Sequence, residues 1–264
     1  MGRVALVGAF LVAALTAGCG HGGDGSPVWQ PAPQTTWQWQ LSGLPLDLTV
    51  EADVFDIDLF ETEASTVDRL HDLDRRVICY VSVGTWEPDR PDSAQVPEAL
   101  QGQPLEDFPD ERWLDIRRLD VLGPLIEARF ELCRAKGFDA VEPDNVDGYA
   151  NDSGFALTAD DQLAFNRFVA RTAHRNGLGV GLKNDLDQIG ELVGDFDFAV
   201  NEECAEFAEC DLLRPFVADG KAVLHVEYEL GPDEFCPDLV GDGFSSMQKR
   251  IDLDAWYARC PRGI

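Results

Sequence analysis

The chain reads as an α/β protein forming one (β/α)8 TIM barrel, and three observations predict this. Strand-like apolar runs recur along its length, the stretches between them carry helical periodicity, and acid-rich clusters stand where apolar runs stop. Strands alternating with helices build a parallel sheet, and its strands, buried on both faces, read as short unbroken apolar runs.

The chain opens with Arg3 and an apolar run from Val4 to Ala17, shorter than the roughly 20 residues of a membrane-spanning helix. Thr16-Ala17-Gly18-Cys19 is similar to a bacterial lipobox. Residues 1–18 are therefore expected to be a lipoprotein-type signal peptide, with Cys19 lipidated. Residues 19–37, rich in Gly, Pro, Gln and Thr, are expected to be a flexible tether, and 38–264 the barrel. Removing 1–18 leaves 246 of the 264 residues, close to the roughly 250 of a single barrel. The expected location is the outer face of a bacterial membrane, reached only through the lipid, or the medium.

Strand-like runs fall at 54–59, 77–83, 113–116, 138–141, 178–182, 196–200 and 222–227, with a weaker one at 243–247. Between them, Leu122, Leu125, Ile126, Phe130 and Cys133 recur at helical spacing before Gly137, and a second helix opens at Thr158 with Asp161 three residues on and ends at Gly177. The segment from Thr85 to Arg112, rich in Pro, Asp and Glu, is expected to fold over the barrel mouth.

The formal net charge of −28 repels nucleic acid and anionic headgroups and favours cationic ligands. Of the seven cysteines, six remain after Cys19: Cys79, Cys133, Cys204, Cys210, Cys236 and Cys260. An even number in an exported chain points to disulfides; several pairings are open, but the near neighbours Cys204–Cys210 and Cys236–Cys260 would leave Cys79–Cys133. No metal site, nucleotide loop or cofactor motif is found, so no metal or cofactor is expected.

The chemistry gathers at strand ends. On 54–59, Asp56 and Asp58 share one face. The next run ends in Tyr80, Ser82, Trp86 and Glu87, an aromatic beside acids and hydroxyls that suits a sugar ring. Glu142-Pro143-Asp144-Asn145-Val146-Asp147 closes the run at 138–141, and Asp144, nearer the C-terminal end, is the better nucleophile. Lys183-Asn184 supplies a cation able to hold a neighbouring carboxylate ionised, and Glu227-Tyr228 repeats the acid-aromatic theme. At Asn201-Glu202-Glu203-Cys204, alternation through Phe196, Phe198 and Val200 puts Glu202 outward and leaves Asn201 and Glu203 inward, unless a bulge intervenes. Paired acids without metal ligands or a phosphate loop point to glycoside hydrolysis.

Several ordered motifs then resemble the endo-α-1,4-polygalactosaminidases of glycoside hydrolase family 114. They are Asp56-Ile57-Asp58-Leu59-Phe60, the run from Cys79 to Glu87, Arg112-Trp113-Leu114-Asp115-Ile116-Arg117, the run from Gly137 to Tyr149, Gly181-Leu182-Lys183-Asn184-Asp185 and Asn201-Glu202-Glu203-Cys204. The resemblance implies a TIM barrel cleaving α-1,4-linked galactosamine polymers, with Asp144 as catalytic carboxylate and Glu202 as acid/base. Glu203 stands where the family commonly has Gln. Substrate contacts are then expected from Asp56, Asp58, Tyr80, Ser82, Trp86, Glu87, Asp115, Glu142, Asn145, Asp147, Tyr149, Lys183, Asn184, Asn201, Glu203, Glu227 and Tyr228. A retaining monomer acting on a cationic polysaccharide is expected. The alternatives are a non-catalytic lipoprotein binding such a polymer, or another α-glycosidase on the same fold.

Overall fold

Eight parallel strands stand side by side in the computed structural model, which describes residues 28–261. The signal peptide and Cys19 lie outside the described residues. The strands are β1 (Trp37–Gln40), β2 (Val54–Asp58), β3 (Arg76–Ser82), β7 (Ala140–Asp144), β8 (Gly179–Lys183), β9 (Phe198–Glu202), β10 (Val223–Glu227) and β11 (Ser245–Gln248), with a short β12 (Ala258–Arg259) antiparallel to β11. Side chains join the first and last of the eight: the Trp37 indole donates to Ser245 O at 2.8 Å, and Lys249 Nζ donates to Gln38 Oε1 at 3.2 Å. Curled in this way, the sheet is a (β/α)8 barrel of TIM type.

Helices α1 (Ala64–His71), α2 (Leu119–Lys136), α3 (Ala159–Arg175), α4 (Ile189–Leu192), α5 (Arg214–Ala218) and α6 (Pro232–Gly241) cover the outside. The expected signals set the ends of the two longest. Gly137, at φ 93°, terminates α2 in the left-handed conformation that glycine adopts without penalty. Thr158 and Asp161 form a capping box on α3, worth about 1 kcal/mol.

Apolar residues sort into two layers. Phe55, Ile57, Leu59, Val141, Val180 and Leu182 point outward into the core shared with the helices, where α2 contributes the fully buried Phe130, an anchor worth roughly 2–3 kcal/mol. Val54, Ile78, Ala140, Phe198, Val200, Leu224 and Val226 fill the barrel interior with Trp37 and Trp39. Phe198 there lies so close to β8 that a Cβ on Gly181 would stand 2.5 Å from its ring.

Two strand assignments change. Trp37-Gln38-Trp39-Gln40, at the boundary expected for the tether, is barrel strand β1, and all four residues are buried. The run at 113–116 is not a barrel strand. It contributes β6 (Arg112–Leu114) to a three-stranded antiparallel sheet with β4 (Thr85–Trp86) and β5 (Gln101–Pro104), an excursion placed between β3 and α2. As expected, this excursion reaches the barrel mouth: Glu87, Leu105, Glu106, Asp107, Glu111 and Trp113 line the cleft there.

Candidate active site

The cleft at the C-terminal ends of the strands has a volume of about 590 Å³, the face where barrel active sites sit. Three strands end on its floor with one charged residue each: Asp144 on β7, Lys183 on β8 and Glu202 on β9. Inward-facing residues alternate along a strand. The register that buries Ala140 and Glu142 in the barrel therefore presents Asp144, and the register that buries Phe198 and Val200 presents Glu202. No bulge is needed. The outward assignment of Glu202 is corrected because Phe198 and Val200 fill the barrel interior rather than the helix-facing core.

Asp144 is held at both ends. Its carbonyl accepts from the Val83 and Gly84 amides at 3.1 and 3.3 Å, and a Cβ on Gly84 would stand only 1.6 Å from Asn145 O, so the approach requires glycine. Its carboxylate takes Lys183 Nζ at 2.9 Å, the Asn145 amide at 2.7 Å and the Tyr80 hydroxyl at 2.8 Å. Burial alone would raise this carboxyl. The Lys183 charge and the bonds from Lys183, Tyr80 and Asn145 outweigh it and hold Asp144 below its ordinary value.

Glu202 Oε2 receives Lys183 Nζ at 2.8 Å and Asn184 Nδ2 at 3.0 Å, and Oε1 receives the Tyr228 hydroxyl. Asn184 also accepts the Glu202 amide through Oδ1 at 3.0 Å, fixing backbone and side chain together. Lys183 is 4 % exposed, with its ammonium 5.2 Å from the centre of the Trp39 ring. Burial opposes its charge, but Asp144, Glu202 and Glu142 prevail and raise it well above the ordinary lysine value. Two contacts of 2.9 and 2.8 Å to one nitrogen cap the oxygen-to-oxygen separation of Asp144 and Glu202 at about 5.7 Å.

The expected contact residues divide by depth. Asp58, Tyr80, Glu87, Asn145, Asp147, Lys183, Asn184 and Tyr228 line the cleft with the two acids. Asp147 is pushed up to about 6 by burial and the Asp144 charge. Asp56 and Glu142, both fully buried, lie below the floor without any hydrogen-bond donor of their own. Burial raises Asp56 to about 7, and burial together with the Asp56 charge raises Glu142 well above its ordinary value.

The remaining expected contact residues do not line the cleft. Ser82 is buried, bonded to Thr85 Oγ1 at 2.6 Å and receiving Asn145 Nδ2 at 3.0 Å. The Trp86 indole donates to Ser93 O at 3.0 Å, and Asp115 pairs with Arg117 at 2.7 Å. Asn201 is buried and donates to Asn184 Oδ1 at 3.3 Å; neither Tyr149 nor Glu203 lines the cleft. Glu227 points to the helix-facing side of β10, where it accepts His225 Nε2 at 2.7 Å and the amides of Ala205 and Glu206 at 2.7 and 3.3 Å, anchoring the segment after Glu202.

Cleft residues outside the expected set include Trp39, Glu61, Arg90 and Glu111. Burial pushes Glu111 up to about 7 while Thr85 Oγ1 donates to it at 3.1 Å. Among the described residues, Cys204, Cys210 and His225 bring three ligand-type atoms within 4.8 Å, but the two sulfurs are joined in a disulfide and offer no thiolate. The other disulfides are Cys79–Cys133 and Cys236–Cys260, so the neighbour-based pairing holds throughout. Three disulfides fit an oxidising compartment, and among the described residues no helix is long and apolar enough to cross a membrane.

A barrel with two carboxylates at its C-terminal mouth is the arrangement that glycoside hydrolases use. Residues 23–264 match the model of glycoside hydrolase family GH114, and the chain belongs to that family. Its fold is similar to the crystal structure of Aspergillus fumigatus Ega3 in complex with galactosamine, with 36 % identity, a TM-score of 0.85 and coverage of 90 % of this chain and 100 % of that one. It is also similar to the glycoside hydrolase domain of PelA from Pseudomonas aeruginosa, at 14 % identity, a TM-score of 0.67 and coverage of 85 % and 98 %. A Thermus thermophilus α-galactosidase shares the fold at 15 % identity and a TM-score of 0.55, over 83 % of this chain and 59 % of that one. No curated protein sequence matches the chain.

Proposed function

We propose that this enzyme is an endo-acting hydrolase of α-1,4-linked galactosamine polymers, and that Asp144 and Glu202 carry the reaction with retention of configuration. The observation that supports this most is the meeting of both carboxylates on Lys183 Nζ. A ceiling of about 5.7 Å on their nearest oxygens suits the roughly 5–5.5 Å of a retaining pair and is short of the roughly 6.5–9.5 Å that leaves room for water in an inverting one.

In the first step an Asp144 oxygen attacks the anomeric carbon while Glu202, having first taken a proton from solvent, passes that proton to the departing glycosidic oxygen, which leaves as a hydroxyl. In the second, Glu202 takes a proton from water, the water oxygen displaces Asp144, and a hemiacetal of the original configuration departs. Lys183 and Tyr80 keep Asp144 ionised between turnovers, and Asn184 and Tyr228 aim Glu202. The substrate class follows from the galactosamine bound to the related Ega3 and from the cleft's own chemistry. Asp147 and Glu111 stand in the wall with carboxyls raised by burial, and an ammonium alongside would stabilise their ionised forms.

The enzyme works as a monomer, exported by the signal at 1–18 and held by a lipid on Cys19 through the tether. Reducing-end release from an α-1,4-galactosamine polymer tests the function. Wild type should cleave, and Asp144→Asn and Glu202→Gln should each lose activity by several orders of magnitude. Binding without cleavage by wild type would make the chain a polysaccharide-binding lipoprotein instead.

A further inference from the structure

The helix-facing side of β10 carries a buried polar chain that the cleavage chemistry does not use. Ser246 on β11 and His225 and Glu227 on β10 are all buried. The Ser246 hydroxyl meets His225 Nδ1 at 3.1 Å, and His225 Nε2 donates to Glu227 Oε1 at 2.7 Å. Phe235 of α6 and Phe244 pack edge-on against the imidazole, with ring centres 5.7 and 6.2 Å away, which fixes the plane of the ring.

The far end of this chain is the turn that follows Glu202. Glu227 accepts the Ala205 amide on Oε1 at 2.7 Å and the Glu206 amide on Oε2 at 3.3 Å, so two successive backbone donors close on one carboxylate. The turn is sharp. Glu203, directly after Glu202, holds φ 60°, a left-handed conformation that is unfavourable for a residue with a Cβ and persists only where its surroundings impose it. Three consecutive residues of β10 impose it at three levels. Val226 O accepts the Glu203 amide at 2.8 Å, the Glu227 carboxylate takes the two amides beyond, and Tyr228, on the cleft side, donates to the Glu202 carboxyl.

We infer that Glu227, oriented by His225 and Ser246, is a positioning residue for the acid/base: it fixes the turn after Glu202 and so the direction from which that carboxyl meets the glycosidic oxygen. This inference rests on the reading of Glu202 given above. A carboxylate suits the place because both of its oxygens accept, and three donors converge on it. Glutamine there offers one acceptor oxygen and turns its own N–H groups toward a donor left unpaired.

A misdirected acid shows itself through the leaving group. A sugar departs poorly without a proton, whereas a dinitrophenolate departs without one. The test measures kcat/KM for wild type, Glu202→Gln, Glu227→Gln and Ser246→Ala on an α-1,4-galactosamine oligomer, and on a short oligomer bearing a dinitrophenyl leaving group, read by release of the phenolate. Glu227→Gln should lower the value for the first substrate about 10–100-fold, through kcat with little change in KM, and leave phenolate release near that of wild type. Ser246→Ala removes a single hydroxyl at the far end of the chain; it should show the same selectivity at smaller size, and it decides the matter if Glu227→Gln does not fold. Equal losses on both substrates, or no loss on either, overturn the positioning role. If Glu202→Gln is selective while Glu227→Gln and Ser246→Ala are not, the positioning role alone falls. If Glu202→Gln is itself unselective, the acid/base assignment falls with it.

Discussion

The carboxylates of Asp144 and Glu202 share one cation, Lys183 Nζ, at 2.9 and 2.8 Å. In the proposed mechanism Asp144 acts ionised, and that form is lost as pH falls through its pKa. Lys183 holds the pKa below its ordinary value, so removing the cation moves the loss to higher pH. Lys183→Met should shift the acidic limb of the kcat/KM profile upward and lower kcat about 100-fold or more. A pH–rate profile of the variant checks both.

The Tyr228 hydroxyl donates to Glu202 Oε1. Tyr228→Phe keeps the ring and deletes only that donor, so kcat should fall about 10-fold with little change in KM. Steady-state kinetics on a long oligomer separate the two parameters.

Asp185 gives a stability prediction. It follows Lys183-Asn184, is 4 % exposed, and adopts φ 46°, which asparagine tolerates as well as aspartate. Burial, then the charge of Asp147, pushes its carboxyl up to about 8, although Asn166 Nδ2 donates to it at 2.7 Å. The folded state therefore keeps a proton that the unfolded chain releases between about pH 4 and pH 8, and this group's contribution to stability declines as pH rises through that window. Asp185→Asn retains the acceptor and removes the charge. It should stabilise the fold by on the order of 2 kcal/mol at pH 8 and much less at pH 4, as thermal unfolding at the two values would show.

How far the sequence carries is clearest at the strands. The acids at 144 and 202 stood out because polar clusters interrupt apolar runs where a barrel opens. Trp37-Gln38-Trp39-Gln40 has the period of two expected of a strand, but it is only four residues long and abuts a Gly- and Pro-rich stretch. Its omission, together with the misassigned run at 113–116, cancelled in the count, so Asp144 and Glu202 still fall on the fourth and sixth barrel strands. The face of Glu202 was illegible because a parallel barrel strand is apolar on both sides, and periodicity alone cannot say which side is the interior. Glu227 looked like a cleft acid for the same reason, whereas alternation on β10 gives the mouth to Tyr228.

The disulfides separate stability from activity. Cys79 and Cys133 are 54 residues apart, Cys204 and Cys210 only six, so replacing each pair with serine should cost about 4 and about 2 kcal/mol through the unfolded chain. Cys204 lies two residues beyond Glu202, and the second pair should lose more activity for less stability. Denaturant unfolding alongside kcat measures the contrast.

The most direct test of Asp144 as nucleophile and Glu202 as acid/base is the anomeric configuration of the first reducing ends released from an α-1,4-galactosamine oligomer, followed by proton NMR before mutarotation. With retention, the α-anomer appears first. First appearance of the β-anomer would contradict it, making the reaction a single displacement by water and Asp144 a base rather than a nucleophile.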